Sequence, residues 1–218
     1  MTMLESGMRA SSDQITDPAE LRRLLGEVPP RAVSKERVTL HPRDREWIAA
    51  TPFLVMSTSD AEGNCDASPK GDPAGFVRVL DDRTIAIPER PGNRRADGYL
   101  NILANPHVGL LFVIPGRSQT LRINGRARLV RDAPYFDDMV VRGHRPILAV
   151  EVDIEQIFFH CAKAFLRSHL WEPDQWPTDN LPSWARLVKE VQSDVTETIE
   201  ELEHHYTPAN YNAKLYQG

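Results

Sequence analysis

Apolar and polar positions alternate with a period of two through Thr120–Val130. Leu121, Ile123, Ala127 and Leu129 fall on one face, and Thr120, Arg122, Asn124, Arg126 and Arg128 on the other. The same period returns in Ile147–Phe159 through Leu148, Val150, Val152 and Ile154. Phe53–Ser59 is apolar and β-prone, Asp60–Asn64 reads as a hairpin loop, and Cys65–Lys70 as the returning strand. Gly75–Leu80 and Arg83–Pro88 form a second hairpin around Asp81-Asp82, and Val108–Ile114 is apolar enough to be a buried strand.

Helical signals lie at the ends and between these strands. Asp17-Pro18 supplies an N-cap and a first-turn proline for a helix through Leu21, Leu24 and Leu25, ended by Pro29-Pro30. A second helix is expected over Pro42–Ala50, with Trp47 and Ile48 facing inward. Further helices are expected from Arg95 to Ala104, over Ala133–Arg142, as a short helix or turn in Cys161–Trp171, and as one long helix with an acidic face over Leu181–His205. There is neither βαβ alternation nor a G-x-G-x-x-G fingerprint. The pattern predicts a mainly β, α+β fold: six to seven antiparallel strands in a small barrel with flanking helices. Residues 1–52 form a helical extension, 53–171 the barrel, and 172–218 a second helical extension packing on the barrel or on a partner subunit.

Composition narrows the function classes. The chain of 218 residues has a formal net charge of −5, which argues against nucleic acid as the main partner. No apolar stretch approaches the roughly 18 residues needed to span a bilayer, so no membrane role is expected. The polar start, Met1 to Gln14, lacks the apolar segment of a signal peptide. Cys65 and Cys161 suit a reducing cytoplasm and lack the spacing of metal ligands, so no metal is expected. His204-His205 read as solvated residues at a helix end. Charge is unevenly spread, however: residues 70–131 hold eleven Lys/Arg against five acids. A basic centre within an acidic chain suits a small anionic ligand better than a polymer.

The sharpest candidate lies in Pro88-Glu89-Arg90-Pro91-Gly92-Asn93-Arg94-Arg95. Here a Pro/Gly turn sets two arginines at the expected start of a helix. Free N–H groups and the helix dipole favour an anion there. Guanidinium forks add bidentate hydrogen bonds suited to phosphate. The arginines of Thr120–Val130 are open to three readings: a solvated surface, a ligand groove or a subunit interface.

In order and spacing these pieces resemble the pyridoxamine 5′-phosphate oxidase-like family of FMN-binding split barrels. The likeness runs from about Phe53 to Trp171. Gly92-Asn93-Arg94-Arg95 is similar to the family's Gly-Ser-Arg-Lys phosphate loop; a helix, Asn105-Pro106 and Val108-Gly109-Leu110-Leu111-Phe112 follow it. Arg122-Ile123-Asn124-Gly125-Arg126-Ala127 resembles the family's next strand. Ser68–Pro73 and Ala162–Ser168 resemble a subgroup described only as FMN-dependent enzymes.

The resemblance implies a homodimer with two FMN sites at its interface and a small-molecule substrate. It implies that Arg94 and Arg95 hold the FMN phosphate, with Asn93 in place of a serine donor. Ser68 and Lys70 lie on the strand that follows the isoalloxazine ring, Lys70 as a donor near the flavin. Pro88 and Glu89 match backbone positions near the flavin, Thr120 matches a glutamine that touches the cofactor, and Arg122 follows on the same strand. Arg167-Ser168-His169 is similar to the Arg-x-His that the oxidases use against a substrate phosphate. Trp171 takes the place of their final arginine, and Cys161 falls where they carry a tryptophan. Pyridoxamine phosphate oxidation is therefore not implied. No catalytic side chain is assigned, since the cofactor carries the redox chemistry. Related split barrels bind the deazaflavin F420 or haem, and a non-catalytic storage or sensing role for FMN is the alternative to an oxidoreductase.

Overall fold

The computed structural model describes residues 13–177 and 180–217, and divides into two compact units at Glu36/Arg37. In the first, helix α1 (Pro18–Leu25) starts at Asp17, whose carboxylate accepts from the Ala19 N–H at 3.0 Å, and ends at Gly26. A single turn, α2 (Pro30–Val33), follows, begun by the second of the two prolines.

The second unit is built on one antiparallel sheet. After α3 (Pro42–Ala50) come β1 (Phe53–Ser59), β2 (Cys65–Gly71), β3 (Arg78–Val79) and β4 (Thr84–Pro88). Helix α4 (Asp97–Ala104) precedes β5 (His107–Val113), β6 (Thr120–Val130) and β7 (Ala149–His160). All seven strands pair in the order β2-β1-β5-β6-β7-β4-β3. The fold is thus mainly β, with seven antiparallel strands and flanking helices. Its hydrogen-bond ladder stays open: β2 and β3 are edges, and the ladder does not close into a full barrel.

Register shows how the core is made. Met56 pairs with Leu110, Leu110 with Ile123 and Ile123 with Ile157, and all four are buried. One row further, Leu54, Phe112 and Leu121 align in the same way. Residues directly opposite each other share a face, so these rows form the sheet's inner surface. Each buried side chain of this size contributes about 1.5–3 kcal/mol. Both rows end differently on β2. Met56 pairs with Ser68, Leu54 with Lys70 and Thr58 with Asp66, so the inward positions of this edge strand are polar.

Two local features hold the sheet's shape. A bulge between Asn124 and Gly125 bends β6, and a Cβ on Gly125 would lie 2.1 Å from the Asp153 carbonyl oxygen. Helix α3 is tied to the sheet through Asp44, which is 1% exposed. Asp44 caps the His41 N–H at 2.8 Å and takes a two-pronged ion pair from Arg37, whose backbone bridges to Ile157. Leu40 and Ile48 join the sheet's core.

Several expected helices differ. Ala133–Arg142 yields only a 3₁₀ helix over Pro134–Met139. Cys161–Trp171 carries the expected short helix, α5 (Lys163–Arg167). Leu181–His205 is two helices, α6 (Trp184–Val191) and α7 (Ile199–His205). The break is a capping box: Thr198 Oγ1 accepts from Glu201 N–H at 3.2 Å while Glu201 Oε2 accepts from Thr198 N–H at 2.8 Å. Thr207 then caps α8 (Pro208–Ala213), its Oγ1 accepting from the Asn210 N–H at 3.4 Å, with Pro208 in the first turn. No helix among the described residues is long and apolar enough to cross a membrane, and no group of potential metal ligands occurs among them.

Candidate functional site

The cavity of interest opens at the gap between the sheet's two ends. Its volume is about 490 Å³, within the range of small-molecule pockets. One wall is β2, with Asp66, Ser68 and Lys70 turned inward; the other is Pro88–Gly98, running from β4 into α4. No backbone ladder joins these walls, and two ion pairs span the seam instead. Lys70 Nζ lies 2.8 Å from Glu89 Oε2, and Arg90 Nε lies 2.6 Å from Asp72 Oδ2.

Tyr99, in the first turn of α4, joins the first pair. Its hydroxyl donates to Glu89 and accepts from Lys70 Nζ, whose ammonium stands 4.7 Å from the ring centroid. Burial, and then the hydrogen bond to Glu89, push the phenol well above its ordinary 10.0. Tyr99 therefore stays a proton donor. Helix α4 can approach β2 because residue 98 is glycine: a Cβ there would meet Asp66 Oδ2 at 2.8 Å and Thr58 Oγ1 at 3.5 Å.

The arginine turn differs from its sequence reading in one respect. Helix α4 starts at Asp97 behind a left-handed Ala96 (φ 61°), so Arg94 and Arg95 precede the helix rather than occupy its first turn. Arg94 is itself left-handed at φ 59°. Two non-glycine residues in this region within three positions store strain, a pattern common at ligand sites. The Asn93 side chain holds the turn by accepting from the Arg95 N–H at 3.1 Å. Arg95 pairs with Asp97 at 2.7 Å but stays 71% exposed. Arg94 has no ion-pair partner among the described residues.

Charge at the cavity is balanced rather than basic. Lys70, Arg90, Arg94 and Arg95 face Asp66, Asp72, Glu89 and Asp97. The excess of cations in residues 70–131 is spent elsewhere: Arg78 pairs with Asp138, and Arg128 with Glu151. Arg122 bonds Gln156 Oε1 at 2.8 Å and lies 4.2 Å from the Phe158 ring, with its Nε buried without a partner among the described residues.

Sequence-expected site residues therefore fall into two groups. Ser68, Lys70, Pro88, Glu89, Asn93, Arg94 and Arg95 line the cavity together. Thr120, Arg122, Arg167, His169 and Trp171 do not line it within one chain. Thr120 is buried and pairs with His160. His169 Nδ1 lies 3.1 Å from Glu172, and Trp171 stacks on Phe165 while its Nε1 donates to the Arg117 carbonyl at 2.9 Å. Asp66 and Tyr99 also line the site, although the sequence did not single them out, as do Arg90 of the arginine motif and Asp72 of the Ser68–Pro73 segment. For Asp66 a signal existed, since Asp66, Ser68 and Lys70 alternate along β2.

These residues fit an FMN. A turn with an unpaired guanidinium suits the phosphate, polar side chains at period two along β2 face the cavity, and the volume suits a small molecule. Several solved structures are similar to part of this chain. HupZ from Group A Streptococcus is 22% identical, with 55% of this chain and 93% of that chain covered at a TM-score of 0.45. A candidate pyridoxamine 5′-phosphate oxidase from Lactobacillus delbrueckii is 22% identical, covering 56% and 95% at 0.43. An FMN-binding protein from Syntrophomonas wolfei is 14% identical, covering 55% and 89% at 0.41. Among curated proteins, no sequence matches significantly. The model of the pyridoxamine 5′-phosphate oxidase family, by contrast, matches residues 40–161, from just before α3 to just past β7. That match covers more than half of the chain and contains both cavity walls, so the protein belongs to the pyridoxamine 5′-phosphate oxidase family.

Proposed function

We propose that the protein is an FMN-binding oxidoreductase acting on a small molecule, with the cofactor held in the seam cavity. One observation carries the reading: Ser68 and Lys70 on one wall and Asn93-Arg94-Arg95 on the other line a single cavity, with Arg94 free to pair with an anion. Arg94 and Arg95 bind the phosphate. Lys70, held by Glu89 and Tyr99, places an ammonium and its protons beside the ring system. Bound FMN supplies two-electron chemistry, so the chain needs to orient it and adjust its electrostatics rather than provide a nucleophile.

The working form is a homodimer in the cytoplasm, with two sites at the interface. Thr120, Arg122, Arg167, His169 and Trp171 lie outside their own chain's cavity, which supports a role for them at the cavity of a second copy. There Arg167 and His169 contact substrate and Trp171 covers it.

The visible spectrum of the purified protein tests the cofactor: flavin bands support this reading, and a deazaflavin or Soret band replaces it with F420 or haem binding. Bleaching of the flavin by NADH or NADPH, with reoxidation by a candidate acceptor, supports catalysis. A flavin that binds tightly and is reduced by neither donor favours storage or sensing. A strictly monomeric, FMN-loaded protein overturns the shared site.

A further inference from the structure

The segment after α8 returns to the far end of the cavity. Tyr216 lies 144 positions from Asp72 in sequence, yet its hydroxyl donates to Asp72 Oδ1 at 2.5 Å. The other carboxylate oxygen of Asp72 receives Arg90 Nε, and the Asp72 side chain is 2% exposed. Arg90 in turn donates to the Met139 carbonyl at 2.6 Å and the His144 carbonyl at 3.2 Å. The Tyr216 ring stacks on His144 at 5.7 Å and 18°, with the Arg90 and Arg142 guanidiniums 5.8 and 5.6 Å from its centroid. Tyr216 thus closes a knot that ties the end of β2, the end of β4 and the loop through His144 together.

Arg90 belongs to the motif that suggested phosphate binding, but its guanidinium is committed to this knot. Among the described residues, Lys70–Glu89 and Asp72–Arg90 are the ion pairs that cross the seam, and Tyr216 braces the second. A ligand touching both walls feels the spacing these bridges set.

We propose that Tyr216 is a positioning residue for the cavity, clamping the Asp72–Arg90 bridge so that docking of residues 214–217 and occupancy of the cavity strengthen each other. Reciprocity is required thermodynamically: if the docked segment raises ligand affinity, the ligand raises docking by the same factor. The clamp stands on the contacts above; its coupling to FMN rests on the function proposed for the site.

The test uses Tyr216→Phe, which keeps the ring and removes the donor, and a chain ending at Lys214. FMN dissociation constants come from fluorescence titration, and amide hydrogen exchange is followed within 89–92, at Glu89, Arg90 and Gly92, and at Gln217, whose N–H bonds the Lys214 carbonyl. Expected are FMN binding about 3- to 10-fold weaker in Tyr216→Phe, at least as weak in the shortened chain, and slower exchange at Gln217 when FMN is added to the unaltered protein. Without FMN, exchange at 89–92 should speed up in both variants. Unchanged exchange there overturns the clamp whether or not FMN binds. Faster exchange with unchanged FMN affinity overturns the coupling. An unaltered protein that binds no FMN overturns the proposed function while the exchange data still judge the clamp.

Discussion

Lys70 and Glu89 face each other at 2.8 Å across a seam that no backbone hydrogen bond crosses, with side chains 14% and 22% exposed. The pair sits between two strand ends rather than on an open surface, so its geometry is fixed by more than itself. A double-mutant cycle with Lys70→Met and Glu89→Gln should give a coupling energy of about 1 kcal/mol by denaturant unfolding. Additive effects would show that the bridge does not hold the seam.

Tyr99 makes stability fall at alkaline pH. Its phenol is raised by burial and by Glu89, so the folded state keeps a proton that the unfolded chain releases first. The stability it contributes is complete below the unfolded value near 10 and is lost progressively as pH rises from there toward the folded value. Tyr135, raised by burial and its bond to Glu151, acts in the same direction. Denaturant midpoints measured against pH should decline less steeply above about pH 10 in Tyr99→Phe than in the parent. An identical alkaline slope would contradict the buried-donor assignment.

Replacing Arg94 and Arg95 together by alanine should weaken FMN binding by at least about tenfold, from the loss of charge-assisted hydrogen bonds. The fold should survive, because Arg95 is 71% exposed and Arg94 has no ion-pair partner among the described residues. Fluorescence titration alongside a thermal melt separates the two effects, and undiminished affinity would remove the phosphate from this turn.

Gly125→Ala should cost about 3 kcal/mol, at the upper end of ordinary overpacking, because the new methyl meets a backbone oxygen at 2.1 Å. Gly98→Ala is crowded most by the end of the Asp66 side chain at 2.8 Å, which can swing away. Its cost should fall on ligand affinity more than on the unfolding midpoint.

The strands were legible where one face meets the core. Leu121, Ile123 and Ala127 announce β6, and Leu54 and Met56 announce β1, because burial of one face enforces period two. The helix break at Gln192–Thr198 was missed, although Thr198-x-x-Glu201 carries the capping signal. The helix-prone composition on both sides masked it. In the site, the arginine turn and Lys70 stood out as charged residues beside strands and turns. Tyr99 and Tyr216 did not, because nothing local marks a tyrosine as the brace of an ion pair. Their partners lie across the seam, and only the fold brings them together.

The matched charges of the cavity walls bear on how a ligand arrives. Four cations opposite four carboxylates cast little field beyond the opening, in a chain whose net charge is −5. A phosphate monoester approaching from solvent is therefore not drawn in from a distance, and added salt should not slow its capture. If Arg94 holds the phosphate as proposed, selectivity for the anion lies in how slowly it leaves that turn.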